Sequence, residues 1–221
     1  MNPVIAIDGP SASGKSTVAR RVAAQLGFVY VDTGAMYRAV TWRLLHEGID
    51  PAKTAAVAAF SERMDFHAII KGGTTRLECN GPIDPDALRS PDVSSAVALV
   101  ARVPETRARL VAEQRSLRAL APLVMEGRDI GSVVFPNTPY KFYLDARPEV
   151  REARRHLQGE EDAINRRDNI DRSRAVAPLR VADDARVIDS SSLSIDEVVA
   201  AVCSALDTAG LQCRPTDSHA S

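Results

Sequence analysis

The feature that most constrains this chain is residues 9–16, which read Gly-Pro-Ser-Ala-Ser-Gly-Lys-Ser and match the pattern G-x-x-x-x-G-K-S. An apolar run at residues 3–7 precedes the motif and predicts a buried strand. Residues 15–26 carry apolar side chains at helical spacing, and Gly27 ends that pattern. A glycine-rich turn that matched by chance would lack this strand before it and this helix after it. The motif therefore indicates a loop that binds phosphate groups.

The loop has the parts needed to hold a nucleoside triphosphate. Its glycines let successive backbone N–H groups point at one anion, and the helix that follows adds the positive end of its dipole. We expect Lys15 to reach the β- and γ-phosphates and the hydroxyl of Ser16 to bind Mg²⁺. The residues expected to surround the triphosphate are Gly9, Pro10, Ser11, Ala12, Ser13, Gly14, Lys15, Ser16 and Thr17. The motif does not identify the group that accepts the phosphate.

The rest of the chain alternates strand and helix patterns, which is typical of an α/β fold. Besides residues 3–7, short strands are predicted at residues 28–31, 123–126, 140–144 and 187–189. Helices are predicted at residues 34–46, 54–64, 90–120 with a break at Pro104, and 194–206. This order favours a parallel five-stranded sheet with helices on both faces. Residues 65–83 interrupt the alternation with two β-like segments around Gly72-Gly73, which predicts a hairpin in a small insertion.

Composition excludes several classes of protein. The 221 residues carry a formal net charge of −1, which gives no electrostatic argument for a nucleic acid or membrane partner. No apolar run approaches the roughly 20 residues needed to cross a bilayer, and the first residues lack the pattern of a signal peptide. Cys79, Cys203 and Cys213 are widely separated and show no metal-binding spacing. We therefore expect a cytoplasmic monomer that uses neither a nucleic acid nor a membrane partner.

Two further motifs carry arginines at the ends of predicted strands. Residues 32–38 read Asp-Thr-Gly-Ala-Met-Tyr-Arg, and residues 126–131 read Glu-Gly-Arg-Asp-Ile-Gly. Ligands of open parallel sheets bind beyond the carboxyl ends of the strands, so both motifs are expected to face the same crevice as the phosphate loop. Each motif alone could also be a capped helix start with a solvated arginine. Two such motifs at equivalent strand ends favour a binding site.

Charged residues also occur where a helix pattern makes them notable. Arg107 shares the apolar stripe of the helix that starts near Pro104, so it is expected to meet either a ligand or an internal carboxylate. Residues 147–174 are rich in both signs of charge and lie between two core strands, the usual place for a mobile lid. Solvated helix faces have similar patterns, so this segment is ambiguous by itself.

Taken in order, the phosphate loop, DTGAMYR, EGRDIG and RDNIDRSRAVAPL resemble the bacterial cytidylate kinase family from about residue 4 to residue 205. The resemblance implies direct in-line transfer of the ATP γ-phosphoryl group to CMP or dCMP, with Mg²⁺. It also implies one kinase domain at residues 1–206, and the small, polar residues 207–221 predict a disordered tail. Within that domain the core comprises residues 1–60, 90–146 and 175–206, the monophosphate-binding insertion about 61–89, and a short helical lid about 147–174.

The resemblance assigns several residues to phosphate binding and transfer. Arg38, Arg128 and Arg174 correspond to the arginines that hold the CMP phosphate, and Thr33 corresponds to a hydroxyl near the same nucleotide. Arg154 is similar to the lid arginine that reaches ATP. The residues expected to act in catalysis are Lys15, Arg128, Arg154 and Arg174.

The resemblance also assigns residues to the nucleoside. Arg107 and Asp129 correspond to the residues that read cytosine, and Arg167 and Asp171 to the pair that binds the sugar. Ala98 stands where members of the family often carry a serine, so one cytosine contact is expected to be missing or mediated by water.

Other departures from the family pattern concern the lid. The segment between Arg155 and Arg167 is shorter than usual, and Ile170 replaces a basic residue of some relatives.

The residues by themselves leave two other functions open. A kinase for another small molecule would share the phosphate loop. A non-catalytic switch that binds a nucleoside triphosphate would share it as well, although the chain has no Asn-Lys-x-Asp run to read guanine.

Overall fold

The computed structural model describes residues 1–157 and 180–214. Its strands are β1 (Val4–Asp8), β2 (Val29–Asp32), β3 (Phe66–Lys71), β4 (Thr74–Cys79), β5 (Leu123–Gly127), β6 (Tyr140–Asp145) and β7 (Arg186–Asp189). Its α-helices are α1 (Lys15–Leu26), α2 (Thr33–His46), α3 (Thr54–Arg63), α4 (Pro91–Val100), α5 (Pro104–Leu120), α6 (Pro148–Leu157) and α7 (Ile195–Thr208). A parallel five-stranded sheet has the order β2-β5-β1-β6-β7, which confirms the predicted fold class.

The central sheet is buried on both faces because alternate residues of β1 enter different cores. Val4 and Ala6 pack with residues of α2, α3 and α5, whereas Ile5 and Ile7 pack with residues of α1 and α7. A strand covered on both faces needs apolar side chains in both directions. This explains why the start of the chain is a continuous apolar run and does not alternate with polar residues.

The predicted hairpin is confirmed and is fastened to the central sheet. β3 and β4 pair antiparallel, and Gly72 and Gly73 connect them with φ angles of 57° and 75°, a turn that suits glycine. At the tip, the carbonyl oxygen of Gly73 accepts a hydrogen bond of 2.9 Å from the N–H group of Tyr30 in β2. Farther along, the Nη2 atom of Arg109 in α5 donates to the carbonyl oxygen of Phe66 at 2.8 Å.

Three segments follow the carboxyl ends of neighbouring strands and meet at one edge of the sheet. The phosphate loop follows β1, helix α2 begins directly after β2, and a turn at residues 128–134 follows β5. This turn includes one π-helical turn, Ile130–Val134, that the sequence did not predict. The sequence also did not predict the short 3₁₀ helix Asp86–Arg89 before α4. Among the residues described, no helix combines the length and apolarity needed to cross a membrane.

Candidate active site

A single cleft at this sheet edge contains most of the residues expected in the site. Its walls are the phosphate loop, the start of α2, one face of α4, and β5 with the turn that follows it. Of the predicted residues within the described ranges, those lining it are Ser11, Ala12, Gly14, Lys15, Ser16, Thr17, Thr33, Arg38, Arg107, Arg128 and Asp129. We refer to this space below as the cleft.

The phosphate loop has the tight backbone that its glycines predict. Gly9 has a φ of 149°, and a Cβ atom there would lie 2.1 Å from the carbonyl oxygen of Leu144, so the loop depends on glycine at this position. Gly14, with a φ of 92°, directly precedes the first turn of α1, and the N-terminus of a helix is a favourable position for an anion. Lys15 is buried at the start of α1, and its Nζ atom donates to the carbonyl oxygen of Pro10 at 2.6 Å.

Ser16 and Glu126 place two oxygen atoms side by side next to the phosphate loop. The Oγ atom of Ser16 donates to Oε1 of Glu126 at 2.5 Å, and the hydroxyl of Tyr30 donates to the same oxygen at 3.1 Å. Burial raises the pKa of Glu126, and the nearby Asp32 carboxylate raises it further. The positive charge of Lys15 lowers the pKa of Glu126. The two oxygen atoms and the carboxylate charge of Glu126 suit a hard divalent cation.

Arg38 and Arg128 approach the cleft from two different strand ends, and both side chains are held. The Nη2 atom of Arg38 donates to Oδ2 of Asp32 at 2.9 Å. Oδ1 of Asp32 also accepts from the N–H group of Ala35 and so caps α2. The Nη1 atom of Arg128 donates to the carbonyl oxygen of Gly9 at 3.1 Å. Two guanidinium groups, which suit bidentate phosphate contacts, therefore line the same cleft as the phosphate loop.

The buried arginine of α5 meets an internal carboxylate, one of the two environments predicted for it, and it also lines the cleft. Arg107 and Asp129 are 4% and 6% exposed, and Nη2 of Arg107 donates to Oδ2 of Asp129. Both residues also line the cleft, and the guanidinium of Arg107 lies 5.8 Å from the ring centre of Tyr37. Such a pair, shielded from water at the wall of a cleft, can present fixed donors and acceptors to a ligand.

Arg154 contacts the phosphate loop from α6. Its Nη2 atom donates to the carbonyl oxygen of Ser190 at 2.7 Å, and its Nη1 atom donates to Oγ of Ser190 at 3.1 Å and to the carbonyl oxygen of Ala12 at 3.4 Å. The hydroxyl of Ser190 in turn donates to the carbonyl oxygen of Ser13. Arg155 is also buried and lines the cleft. The predictions for Arg167, Asp171 and Arg174 lie outside the described residues.

Some residues of the site were missed in the sequence. Asp8 is buried at the end of β1 and accepts hydrogen bonds from the turn after β5. Tyr30 fixes Glu126, and Ser190 connects α6 to the phosphate loop. A carboxylate that ends an otherwise apolar strand was a visible signal for Asp8. The role of Ser190 depends on contacts with residues far away in the chain, so no local signal marked it.

Comparisons with known proteins agree with this geometry. A model of the family described as cytidylate kinase matches residues 5–208. A cytidylate kinase from Pelotomaculum thermopropionicum is 44% identical in an alignment 214 residues long, with coverage of 89% of this chain and 92% of that protein. A cytidylate kinase from Nitratidesulfovibrio vulgaris is 43% identical in an alignment 209 residues long, with coverage of 88% of each chain.

One similar protein combines two activities in its name, and one solved structure shares the fold. A bifunctional pantoate ligase/cytidylate kinase from Synechococcus is 43% identical over 91% of this chain and 44% of its own length. The crystal structure of a gluconokinase from Sinorhizobium meliloti matches 94% of this chain and 93% of its own with a TM-score of 0.52. At 13% identity, this second likeness shows the fold alone. From the family match and the relatives over nearly the whole chain, we conclude that this chain belongs to the cytidylate kinase family.

Proposed function

We propose that this protein transfers the γ-phosphoryl group of ATP to CMP or dCMP and forms ADP with CDP or dCDP. The observation that carries the proposal is the composition of the cleft. Lys15 and the phosphate loop line the same cleft as Arg38, Arg128 and the buried Arg107–Asp129 pair. A phosphate donor and a nucleotide acceptor can therefore occupy one cavity. Membership of the cytidylate kinase family favours this acceptor over other small molecules and argues against a non-catalytic switch.

The Arg107–Asp129 pair is the proposed reader of cytosine. The N4 amine of cytosine donates a hydrogen bond, which a carboxylate oxygen of Asp129 would accept, while N3 and O2 would accept from Arg107. Uracil reverses donor and acceptor at positions 3 and 4, so it would set a carbonyl oxygen against the carboxylate. Since both side chains are almost fully buried, a mismatched base would leave polar groups without partners, which is the strongest form of discrimination.

Arg38 and Arg128 are proposed to bind the phosphate of CMP. Their present partners, the Asp32 carboxylate and the Gly9 carbonyl, hold them at the cleft wall and would orient them for an incoming phosphate. Arg174 is proposed as a third phosphate ligand, and Arg167 and Asp171 as the sugar-binding pair, from the resemblance of their segment to the family. The insertion at about residues 61–89 and the lid at about 147–174 are proposed on the same basis.

Transfer would depend on position and charge. An oxygen of the CMP phosphate attacks the γ-phosphorus, and the bond to the oxygen that bridges the β- and γ-phosphates breaks. The acceptor oxygen is already an anion, so no general base is needed. Lys15 and the N–H groups at the start of α1 would stabilise the charge on the phosphates, and Arg154 would support ATP from α6. A closed lid would exclude water and prevent ATP hydrolysis.

The residues present fit Mg²⁺ as the metal of this reaction. Ser16 and Glu126 offer adjacent oxygen atoms, and Mg²⁺ in such enzymes takes few protein ligands because waters and substrate phosphates supply the rest. Ser16 would bind the ion, and Glu126 would hold one of its waters. When bound, the ion neutralises charge that develops on the transferred phosphate.

The direct test is to incubate the purified protein with ATP, Mg²⁺ and one acceptor at a time and to separate the nucleotides by chromatography. We expect CDP and ADP in equal amounts with CMP, and dCDP with dCMP. UMP, AMP, GMP, gluconate and shikimate form the comparison set. ADP without CDP would contradict the proposal, and a higher rate with any acceptor in that set would overturn the assignment of the acceptor.

Arg128→Lys tests the phosphate-binding step within the same assay. Lysine keeps the charge but lacks the fork of donors that grips a phosphate in two places. We expect kcat/KM for CMP to fall by about tenfold to a hundredfold, the equivalent of one or two charge-assisted hydrogen bonds. Arg102→Lys is the matched control because Arg102 is exposed and does not line the cleft. An Arg128→Lys enzyme with the kinetics of that control would exclude Arg128 from phosphate binding.

A further inference from the structure

The turn after β5 carries two proposed ligands of CMP, and a buried carboxylate from another strand holds it. Arg128 and Asp129 open the turn, and Ile130 and Gly131 follow them. The N–H group of Ile130 donates to Oδ1 of Asp8 at 2.8 Å, and the N–H group of Gly131 donates to Oδ2 at 2.7 Å. Both oxygens of one carboxylate are therefore used on consecutive backbone groups. These groups lie directly after the proposed base reader.

Asp8 also belongs to the strand that leads into the phosphate loop. It is the last residue of β1 and precedes Gly9, whose carbonyl oxygen accepts from Nη1 of Arg128. The turn is thus attached to the phosphate loop twice, once through Asp8 and once through Gly9. Any displacement of Asp8 would move the base reader relative to the triphosphate.

A carboxylate at this position has a specific chemical reason. Asp8 is 6% exposed, and burial of a charge is unfavourable unless hydrogen bonds compensate for it. Burial raises the pKa of Asp8 to about 7, and the two N–H groups of the turn act against that rise. A neutral side chain would be easier to bury. The carboxylate is useful because it alone offers two acceptors, without a donor, to two N–H groups.

We propose that Asp8 is a positioning residue for base recognition, whose carboxylate fixes the turn that presents Asp129 and Arg128 to CMP. This inference rests on the proposed function, because it gives Asp8 a task only if the cleft binds CMP. Asp8 acts through the backbone of the turn and touches no reacting atom. Loss of the Asp8 carboxylate therefore weakens binding of CMP, whereas the loop amides and Lys15 still bind ATP.

Asp8→Asn is the decisive variant. Asparagine has nearly the same shape, but its amide group sets a donor against one of the two N–H groups, so the turn must shift. We expect KM for CMP to rise about tenfold or more and the preference for CMP over UMP to fall, because displacements near 1 Å at a reacting geometry have effects up to about a hundredfold. KM for ATP should stay within about twofold, since the groups that bind ATP are unchanged.

Asp145→Asn is the matched control. Asp145 ends the neighbouring strand β6, and within residues 1–157 and 180–214 its Oδ1 atom accepts from the N–H group of the next residue, Ala146. It does not line the cleft. We expect this variant to keep the KM values for CMP and ATP and the CMP preference of the wild type.

A pH series separates positioning from general support of the fold. Among the residues that the structure describes, those with charged or titratable groups that face Asp8 are Lys15 on the phosphate loop, Asp129 on the turn, and Lys141 and Tyr143 on β6. At the same level β5 contributes Gly127, which has no such group. All of these residues are present in the wild type and in Asp8→Asn alike. A difference in pH dependence between the two proteins therefore reports on Asp8.

The probe for this series is cytidine, used as a competitive inhibitor against CMP, because it has no phosphate that titrates near neutral pH. As the pH falls from about 8 to about 6, Asp8 takes up a proton and loses part of its acceptor capacity, so the inhibition constant of cytidine should rise several-fold in the wild type. In Asp8→Asn it should be higher throughout and should not change with pH. The same pH dependence in both proteins would contradict the inference.

The possible results separate the two proposals. A wild type that forms no CDP overturns the proposed function and this inference with it. A wild type that forms CDP, together with an Asp8→Asn enzyme of unchanged KM for CMP and unchanged base preference, overturns this inference alone. Should Asp8→Asn fail to fold by circular dichroism, Asp8→Ser takes its place in the same assays. Its rotatable hydroxyl accepts from one N–H group and does not force a donor toward the other.

Discussion

Asp129→Asn tests base recognition with little change of shape. The substitution keeps one oxygen that can accept from Arg107 and replaces the other by an amide that donates. We prefer it to alanine because removal of one partner of a buried ion pair is strongly destabilising, by about 3–5 kcal/mol. Asparagine leaves Arg107 with a neutral acceptor and limits that loss. The variant should fold and should differ from the wild type chiefly in what it offers to the base.

The size of the effect follows from the burial of the pair. Asp129 is 6% exposed, so its hydrogen bond to the N4 amine of cytosine would form out of contact with water. A hydrogen bond to a charged group contributes about 1.5–3 kcal/mol, and each 1.4 kcal/mol corresponds to about tenfold. We therefore expect kcat/KM for CMP to fall by about 10-fold to 150-fold. The new amide can donate to O4 of uracil, so kcat/KM for UMP should stay level or rise.

The assay couples ADP formation to oxidation of NADH and compares CMP with UMP for each protein. The ratio of the two kcat/KM values is the readout, and KM for ATP should remain within about twofold of the wild type. Asp92→Asn serves as the control because Asp92 is an exposed carboxylate on α4 that does not line the cleft. A ratio in Asp129→Asn equal to that of the control would refute the assignment of Asp129 to the base.

Three other substitutions have expected outcomes. Lys15→Ala should lower kcat by about a hundredfold or more with CMP, dCMP and UMP alike, because loss of a transition-state donor does not depend on the acceptor; unequal losses in the same assay would contradict this. Gly34→Ala should raise KM for CMP and leave KM for ATP unchanged, since its Cβ atom would lie 3.0 Å from Nη1 of Arg38. An unchanged KM for CMP would show that Arg38 does not need its present position. Ala12→Gly should raise the thermal midpoint of unfolding, because Ala12 has a φ of 59° that strains any residue with a Cβ atom. A lower midpoint would show that this strain is already relieved.

The sequence was a good guide wherever function depends on short segments. The phosphate loop, the hairpin and the five core strands each have a local pattern, and the structure confirms them. Arg107 could be recognised as unusual because a charged residue interrupted an apolar stripe. Its partner could not be chosen from the stripe, since Asp129 lies on another element and is brought near only when α5 packs on the sheet.

Contacts between distant parts of the chain account for what was missed. Asp8 accepts hydrogen bonds from backbone groups that lie more than a hundred residues away in the sequence. The pairing of β1 with β5 brings these groups next to Asp8. Glu126 accepts a hydrogen bond from Tyr30, and this contact requires the parallel pairing of β2 with β5. Side chains that act through such tertiary contacts have no periodic signal in the sequence. The π-helical turn after Asp129 belongs to the same class, because the hydrogen bonds of Asp8 help to hold it.

The central claim is that one cleft binds both nucleotides at once, and a two-headed ligand tests it most directly. Calorimetric titration should compare ATP, CMP and a molecule in which adenosine and cytidine are joined through five phosphates. Because binding of the second end is intramolecular, the account predicts a dissociation constant for the joined molecule about a hundredfold or more below that of ATP. It also predicts that Lys15→Ala and Asp129→Asn each weaken this ligand. A joined molecule that binds no more tightly than ATP, or that is unaffected by Asp129→Asn, would contradict the claim.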